Sequence, residues 1–263
     1  MDWTVYKGSR IAALPGVIRM PALLARNLKT GFNRRFRPLA KYHHFFDSIA
    51  TRHNDGFRQT PRFKAAEARA DKAGGWHFGI PYRLHQALWC ADVARAVDGD
   101  FVELGTGRGY LMSAVLTDFP GWATSGRKMH LFDTFSPHIP DSEGAQSDDT
   151  EVSPHYATSY EDVLENFSEW PNVVLHRGDV FKTLEAAKLT KVAFASVDMN
   201  FAAAEVYGLR HLWPLMPKGG VVLLDDYAHG DVPEQYAALN ELAAELGMNI
   251  LSTPTGQGII IKQ

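Results

Sequence analysis

Three aspartates stand where two apolar stretches of the chain end. Asp198 closes the stretch 192–198, and the adjacent Asp225 and Asp226 close the stretch 220–226. Carboxylates are costly to desolvate and repel one another at close range, so a buried cluster needs a compensating positive charge. Oxygen ligands without a histidine or cysteine pattern favour a hard ion, Mg²⁺ first and Mn²⁺ or Ca²⁺ next. We therefore expect a metal site; the competing interpretation is that these aspartates only cap helices or hydrogen-bond to loops.

A glycine-rich segment, FVELGTGRGY, occupies residues 101–110 between a strand pattern and a helix pattern. Its glycines, Gly105, Gly107 and Gly109, permit a tight turn and a close approach of the backbone to a ligand. The spacing G-x-G-x-G, with Glu103 two residues before the first glycine, differs from the G-x-G-x-x-G fingerprint of dinucleotide-binding proteins. This spacing disfavours a nicotinamide oxidoreductase, which would also need a catalytic pair that the sequence does not clearly offer.

The pattern E-x-G-x-G-x-G resembles motif I of class I S-adenosylmethionine (SAM) methyltransferases. Residues 97–262 as a whole resemble the macrocin O-methyltransferase-like enzymes, which depend on a metal and methylate sugar hydroxyls of natural products. The segments LFDTF (131–135), SVDMN (196–200) and LWPLMPKGGVVLLDDY (212–227) carry this resemblance. It implies a SAM-dependent, Mg²⁺-assisted O-methyltransferase whose acceptor is a sugar or another small polyhydroxylated natural product.

The resemblance also assigns roles to individual residues. Asp133 would bind the ribose hydroxyls, the segment after it would line the cofactor pocket, and RGDVF (177–181) would frame the adenine. The metal ligands would be Asp198, Asp225 and Asp226. The residues expected to bind the cofactor are Glu103, Gly105, Thr106, Gly107, Gly109, Asp133, Thr134, Phe135, Gly178, Asp179, Val180 and Asp198.

One position departs from the family pattern. The family continues its fourth strand as Asp-x-Asp-aromatic-Tyr-Glu and uses the second Asp as general base, whereas this chain has Asn200 there. An amide does not accept a proton usefully, so deprotonation would come from another group, from water with the metal supplying the acidification, or would not occur at all. His229 is the candidate for another base, and His138 and His155 are weaker ones. The same substitution leaves open an alternative, a SAM-binding protein that has lost catalysis and serves as a binding or assembly module.

The elements that must position these residues alternate between strands and helices. Strands are predicted at 101–105, 128–133, 172–179, 192–198 and 220–226, followed by an antiparallel pair within 248–254 and 257–263. Helices are predicted at 109–118, 159–168, 183–188, 203–213 and 233–246. This alternation predicts an α/β fold, a doubly wound seven-stranded and mostly parallel sheet, with ligand sites at the carboxyl ends of the strands.

Composition and charge restrict the function further. The chain has 263 residues, and its single cysteine, Cys90, excludes an intrachain disulfide and suits a reducing cytoplasm. The first 41 residues carry a net charge of +8 against −11 for the remainder. We expect a basic, helical or irregular N-terminal extension (1–75) before a SAM-binding methyltransferase domain (76–263), no nucleic-acid partner, no membrane span and a cytoplasmic location. The oligomeric state is left open, with a homodimer as one option.

Overall fold

A seven-stranded sheet forms the centre of the computed structural model, which describes residues 44–136, 158–230 and 232–263. The strands are β1 Asp100–Leu104, β2 Met129–Asp133, β3 Val173–Arg177, β4 Val192–Val197, β5 Val221–Leu224, β6 Leu251–Ser252 and β7 Gly258–Ile261. They lie in the order β3-β2-β1-β4-β5-β7-β6. Strands β1 to β5 run parallel, and β7 is antiparallel to both β5 and β6. This confirms the predicted doubly wound, mostly parallel sheet.

Seven α-helices accompany the sheet in the part of the chain that the structure describes. They are α1 Pro61–Gly74, α2 Pro81–Ala94, α3 Tyr110–Asp118, α4 Tyr160–Asn166, α5 Val180–Ala186, α6 Ala202–Leu212 and α7 Pro233–Leu246. Short 3₁₀ helices at Gly56–Gln59, Trp122–Thr124 and Trp213–Leu215 and two short strands at His44–Phe46 and Ile49–Thr51 complete the description.

Local capping explains where several helices begin. The Thr60 hydroxyl accepts the backbone N–H of Phe63 at the start of α1, and the Ser159 hydroxyl accepts that of Asp162 at the start of α4. Helix α5 begins three residues before its predicted start, because the Asp179 carboxylate caps it by accepting the N–H of Phe181.

Two apolar layers cover the two faces of the sheet. Alternate residues of β1 enter different layers: Phe101 packs with α1, α2 and α3, and Val102 packs with α5, α6 and α7. Strand β4 is buried at every position, as expected for a parallel strand covered on both faces. Burial on both sides fixes the register of the central strands, because a slip by one residue would exchange the two faces.

The register brings the ends of the central strands level. Leu104 of β1 pairs with Phe132 of β2 and Val197 of β4, and Val197 pairs in turn with Leu224 of β5. The residues that follow these strands therefore emerge side by side at one edge of the sheet. This edge carries most of the residues that the sequence singled out for chemistry.

Residue contacts group His53–Gln263, together with Phe45–Ile49, into one compact unit, while His44 and Ala50–Arg52 fall in a second one. The division predicted at residue 75 stays a prediction. Residues 1–43 of the predicted basic extension lie outside the described residues. The extension therefore also stays a prediction. Among the described helices, none is long and apolar enough to cross a membrane.

Candidate active site

The glycine loop joins β1 to α3 directly beside the end of β4. Gly105 has φ +87°, and a Cβ atom there would lie 1.8 Å from the carbonyl oxygen of Asp198, so no side chain fits. Gly107, with φ +52°, differs because a Cβ atom would meet nothing within 4 Å among the described residues. The loop therefore packs tightly against β4 at Gly105 and leaves open space beside the Cα atom of Gly107. Gly109 is the N-cap of α3.

The Asp133 carboxylate ties this loop to the end of β2. Its Oδ2 accepts the backbone N–H of Gly107 at 2.8 Å, and its Oδ1 accepts that of Phe135 at 2.8 Å and the Thr134 hydroxyl at 3.4 Å. Burial raises the pKa of Asp133, although the bond from Gly107 works to lower it. A carboxylate offers about four acceptor positions, so room remains for a ligand hydroxyl. Its predicted contact with ribose stays a prediction.

Glu103 is a buried carboxyl group beneath the glycine loop. Its side chain is 2% exposed, it is hydrogen-bonded to the Thr106 side chain, and its Oε2 has no hydrogen-bond partner among the described residues. Burial raises the pKa of Glu103 well above its ordinary value, and the charges of Asp133 and Asp225 add to that rise. A buried acceptor without a donor is costly. Glu103 therefore fits a site at which a ligand supplies a donor.

The segment after β3 packs against the end of β2. The backbone N–H of Gly178 donates to the carbonyl oxygen of Asp133 at 2.9 Å. Asp179 caps α5, and Val180 is the first residue of that helix. Phe135 is 2% exposed, and its ring lies edge-on to that of Tyr160. The predicted adenine-framing residues thus lie at the same edge as Asp133, while their contact with a nucleoside stays a prediction.

The three aspartates converge as the sequence predicted. Each of Asp198, Asp225 and Asp226 offers one carboxylate oxygen within 4.8 Å of the others. Burial raises the pKa of Asp198 well above its ordinary value, and the charges of Asp225 and Asp226 raise it further. Within the described part of the chain, the Asp198 carboxylate has no hydrogen-bond or ion-pair partner. Three hard oxygen donors, of which the Asp198 carboxylate has no ion-pair partner among the described residues, fit a divalent cation such as Mg²⁺.

Arg83, in the first turn of α2, is a cation of this cluster that the sequence analysis missed. Arg83 is 5% exposed. Its Nη1 contacts Asp225 Oδ2 at 2.8 Å and Asp226 Oδ1 at 3.4 Å, and its Nε lies 3.2 Å from both carboxylate oxygens of Asp47. Its Nη2 donates to the carbonyl oxygen of Thr255 at 3.0 Å. Burial works to lower the pKa of Arg83, but these carboxylates together raise it above its ordinary value. The sequence did carry a signal, since a cation in a helix's first turn opposes the helix dipole.

Glu205, in the first turn of α6, is a second missed residue. It is 1% exposed, and it accepts the backbone N–H groups of Met199, at 3.2 Å, and of Asn200. Burial raises the pKa of Glu205 to about 8, and the charges of Asp226 and Asp225 contribute to the rise. The side chain therefore anchors the turn that follows β4 and places one more carboxyl group beneath the aspartates.

Asn200, which stands at the position of the family's general base, and His229, the candidate base, follow Asp198 and Asp226 by two and three residues in the chain. Asn200 is exposed and has φ +53°, a left-handed conformation that asparagine tolerates. The backbone N–H of His229 donates to the carbonyl oxygen of Asp226 at 3.2 Å. Burial and the charge of Asp225 raise the pKa of Asp226, while Arg83 and His229 work to lower it. The structure thus brings His229 next to Asp226. His138 and His155 lie outside the described residues, and a catalytic role for His229 or Asn200 stays a prediction.

A family model described as macrocin O-methyltransferase (TylF) matches residues 23–249 of the chain. A sequence comparison with curated proteins found no match. The family match covers the glycine loop, the ends of β2 to β5 and all three aspartates.

Several solved structures are similar in fold. The O-methyltransferase NovP is 21% identical with a TM-score of 0.61, over 91% of this chain and 99% of that chain. CalS11, described as a calicheamicin methyltransferase and as a TDP-rhamnose 3'-O-methyltransferase, is 16% identical with a TM-score of 0.53, over 85% and 96%. A putative O-methyltransferase from Klebsiella pneumoniae is 13% identical with a TM-score of 0.51, over 78% and 91%. At these identities the likeness concerns the fold, and it agrees with the predicted class I architecture.

Proposed function

The chain belongs to the macrocin O-methyltransferase family and is a SAM-dependent O-methyltransferase, and from this premise we propose that it methylates a hydroxyl group of a sugar or another small polyhydroxylated natural product with the help of Mg²⁺. The family supports the acceptor class, and CalS11, described as acting on TDP-rhamnose, is a protein of similar fold with a sugar acceptor.

The observation that carries this proposal is the level ending of β1, β4 and β5. It brings the glycine loop, which packs against the backbone of Asp198, within one strand spacing of the carboxylate cluster. Neighbouring strands lie about 4.8 Å apart. A methyl donor on the loop and an acceptor at the aspartates would therefore lie close enough for transfer between them.

In this proposal the cofactor lies along the carboxyl ends of β1, β2 and β3. Gly107 leaves space beside its backbone for the cofactor, and the Oε2 atom of Glu103 is an acceptor to which a cofactor group can donate a hydrogen bond. Asp133 holds the loop and keeps acceptor positions for a ribose hydroxyl. SAM itself supplies the electrophilic methyl group, so the chain contributes binding, orientation and exclusion of water.

The proposed metal ligands are Asp198, Asp225 and Asp226. Their donor type and mutual distances suit a hard divalent cation. Such a cation, when bound, supplies Lewis acidity that lowers the pKa of a coordinated hydroxyl group. His229 is the candidate to accept the hydroxyl proton, because it follows β5 next to Asp226 and histidine is the side chain that most often serves as a general base.

The experiment is a methyl-transfer assay with SAM and a panel of sugars and vicinal diols, with Mg²⁺ and with EDTA. We expect methyl transfer to an oxygen of at least one acceptor, with a strong loss of rate in EDTA. Transfer that is unaffected by EDTA would reject the metal role but keep the O-methyltransferase. Binding of SAM without transfer to any acceptor would favour the alternative that Asn200 suggests, a binding or assembly module.

A further inference from the structure

The cluster at the end of β5 already contains one cation. Arg83 reaches it from α2, and its guanidinium contacts carboxylates on both sides: Asp225 and Asp226 after β5, and Asp47 in the turn near residue 48. It also donates to two backbone carbonyl oxygens, those of Asp225 and Thr255. A buried guanidinium with this many partners is fixed in place rather than a mobile surface charge.

These contacts divide the three aspartates into two kinds. Asp225 is held in orientation on both oxygens, by Arg83 at Oδ2 and by the Gln257 side-chain amide at Oδ1, 2.6 Å away. Asp226 shares the same guanidinium nitrogen. The carboxylate of Asp198 makes no such contact within the described residues. The resident positive charge therefore compensates the pair after β5 and leaves Asp198 for another cation.

We propose that Arg83 is the resident counter-cation of this acidic cluster: it holds Asp225 and Asp226 together in the metal-free protein, and by its own charge it limits how tightly a divalent cation binds there. Arg83 is a positioning residue, because it acts through the aspartates. The limit on divalent-cation binding rests on the function proposed above. The role of Arg83 in holding Asp225 and Asp226 together in the metal-free protein does not.

Two physical effects give the proposal a definite sign. Removing one partner of a buried ion pair leaves the other charge uncompensated, which is strongly destabilising. A guanidinium beside the aspartates also repels a divalent cation bound to them. Replacement of Arg83 should therefore weaken the metal-free protein and strengthen its response to Mg²⁺. A residue that only packed the helix would give the first effect without the second.

The test compares full-length wild type, Arg83→Met, Arg83→Lys and a control, Arg95→Met, by thermal unfolding in EDTA and in Mg²⁺. Arg95 also forms an ion pair with an aspartate, Asp92, but it lies twelve residues further along, about 18 Å away on an α-helix. In EDTA we expect Arg83→Met to lower Tm by roughly 8 °C, Arg83→Lys to lower it less, and Arg95→Met to change it little. Mg²⁺ should raise the Tm of Arg83→Met at least about twofold more than it raises that of wild type.

A metal-free double-mutant cycle keeps the test decisive if Arg83→Met does not fold. Asp226→Asn removes one of the uncompensated charges, so the double variant should be more stable than Arg83→Met alone. Equal losses for Arg83→Met and Arg95→Met, or no recovery in the double variant, would overturn the proposal. A Mg²⁺ response of Arg83→Met no larger than that of wild type would overturn the limit on metal binding. If wild type itself shows no response to Mg²⁺, the metal site fails, while the EDTA comparison still decides the role of Arg83.

Discussion

The three aspartates differ in how their charges are compensated, and this difference decides their expected behaviour. Asp225 and Asp226 contact Arg83, whereas Asp198 is half-buried, faces both of them and has no ion-pair partner among the described residues. A carboxylate in that position destabilises the metal-free protein and is a strong site for a divalent cation. Asp198 is therefore the position at which cation binding and stability are most directly coupled.

For Asp198→Asn we expect a gain in metal-free stability together with losses of the Mg²⁺ response and of activity. Without metal the variant should be more stable than wild type, because the substitution removes a repelled charge. It should also lose the rise in Tm on addition of Mg²⁺ and at least about tenfold of the methyl-transfer rate. Thermal unfolding in EDTA and in Mg²⁺ measures the first two changes. Asp98→Asn, at an exposed aspartate paired with Lys191, is the control and should change neither; a normal Mg²⁺ response of Asp198→Asn would remove this residue from the metal site.

The raised pKa of Glu205 makes stability depend on pH. Its folded-state pKa of about 8 exceeds the ordinary 4.5, so between these pH values the folded protein keeps a proton that the unfolded chain releases. Stability contributed by the protonated group is therefore lost as pH rises from about 4.5 to about 8. Glu205→Gln cannot titrate and keeps an oxygen that accepts the Met199 N–H. In EDTA at pH 8 it should be more stable than wild type, on the order of 3 kcal/mol, and the difference should vanish near pH 4.5.

Urea unfolding of wild type and Glu205→Gln at several pH values measures this difference. Glu245→Gln is the control: Glu245 is an exposed acid whose pKa is lowered by its hydrogen bond from Arg210, so its replacement should not reproduce the trend. Parallel pH curves for wild type and Glu205→Gln would contradict the account of Glu205.

The sequence predicted the site residues that directly follow strands. It did not predict Arg83 and Glu205, which reach the site from helices α2 and α6. Asp198, Asp225 and Asp226 were found because carboxylates after apolar strands are unusual. Arg83 lies 142 positions before Asp225, and only the tertiary structure brings them together. Glu205 resembles a favourable acid in the first turn of a helix, and its burial could not be read from the pattern.

At the scale of elements, the site depends on the close approach of the β1–α3 loop to the end of β4. Two glycines of this loop have different surroundings. Gly105 lies against the backbone of Asp198, and Gly107 is open. The loop can therefore be altered at one glycine without disturbing its contact with β4.

This difference yields a matched pair of variants. Gly105→Ala would force a Cβ atom into the carbonyl oxygen of Asp198, which cannot move without shifting β4; we expect a loss of more than about 3 kcal/mol of stability and of SAM binding. Gly107→Ala meets no atom and should cost only about 1 kcal/mol for its left-handed backbone. Urea unfolding and calorimetry with SAM measure both. Equal losses of stability from the two substitutions would contradict the proposed packing of the loop against β4, whereas a loss of SAM binding alone in Gly107→Ala would agree with a cofactor at Gly107.

The alternation of strands and helices was readable from sequence because both faces of the sheet are covered by helices, which requires apolar runs separated by amphipathic ones. Boundaries were less readable where a side chain intervenes, as where Asp179 starts α5 early. Within the predicted strand region 248–254, only Leu251–Ser252 forms a strand. It is exposed and lies at the edge of the sheet, where it pairs on one side only. The length of such a strand depends on how far its neighbours bury it, and the neighbours are known only from the tertiary structure.

At the scale of the whole molecule, the two proposed sites lie at the same edge of the central sheet. The proposed cofactor residues follow β1, β2 and β3, and the proposed metal ligands follow β4 and β5. Since the glycine loop is held by backbone contacts and by Asp133, its shape does not require a cation. Binding of the methyl donor should thus be separable from binding of the metal.

We accordingly expect the dissociation constant for SAM to change by less than about threefold between Mg²⁺ and EDTA, while methyl transfer falls strongly in EDTA. Isothermal titration calorimetry under both conditions measures the first quantity, and the transfer assay measures the second. Loss of SAM binding in EDTA would show instead that the cation builds the cofactor pocket.

The measurement that tests the central claim most directly is a crystal structure with S-adenosylhomocysteine and Mn²⁺, recorded with anomalous scattering. The account predicts the nucleoside along the glycine loop and an anomalous peak among the carboxylates of Asp198, Asp225 and Asp226, with Arg83 still in contact with the last two. A bound nucleoside with no anomalous peak at this position, even at millimolar Mn²⁺, and with the three carboxylates turned apart, would contradict it.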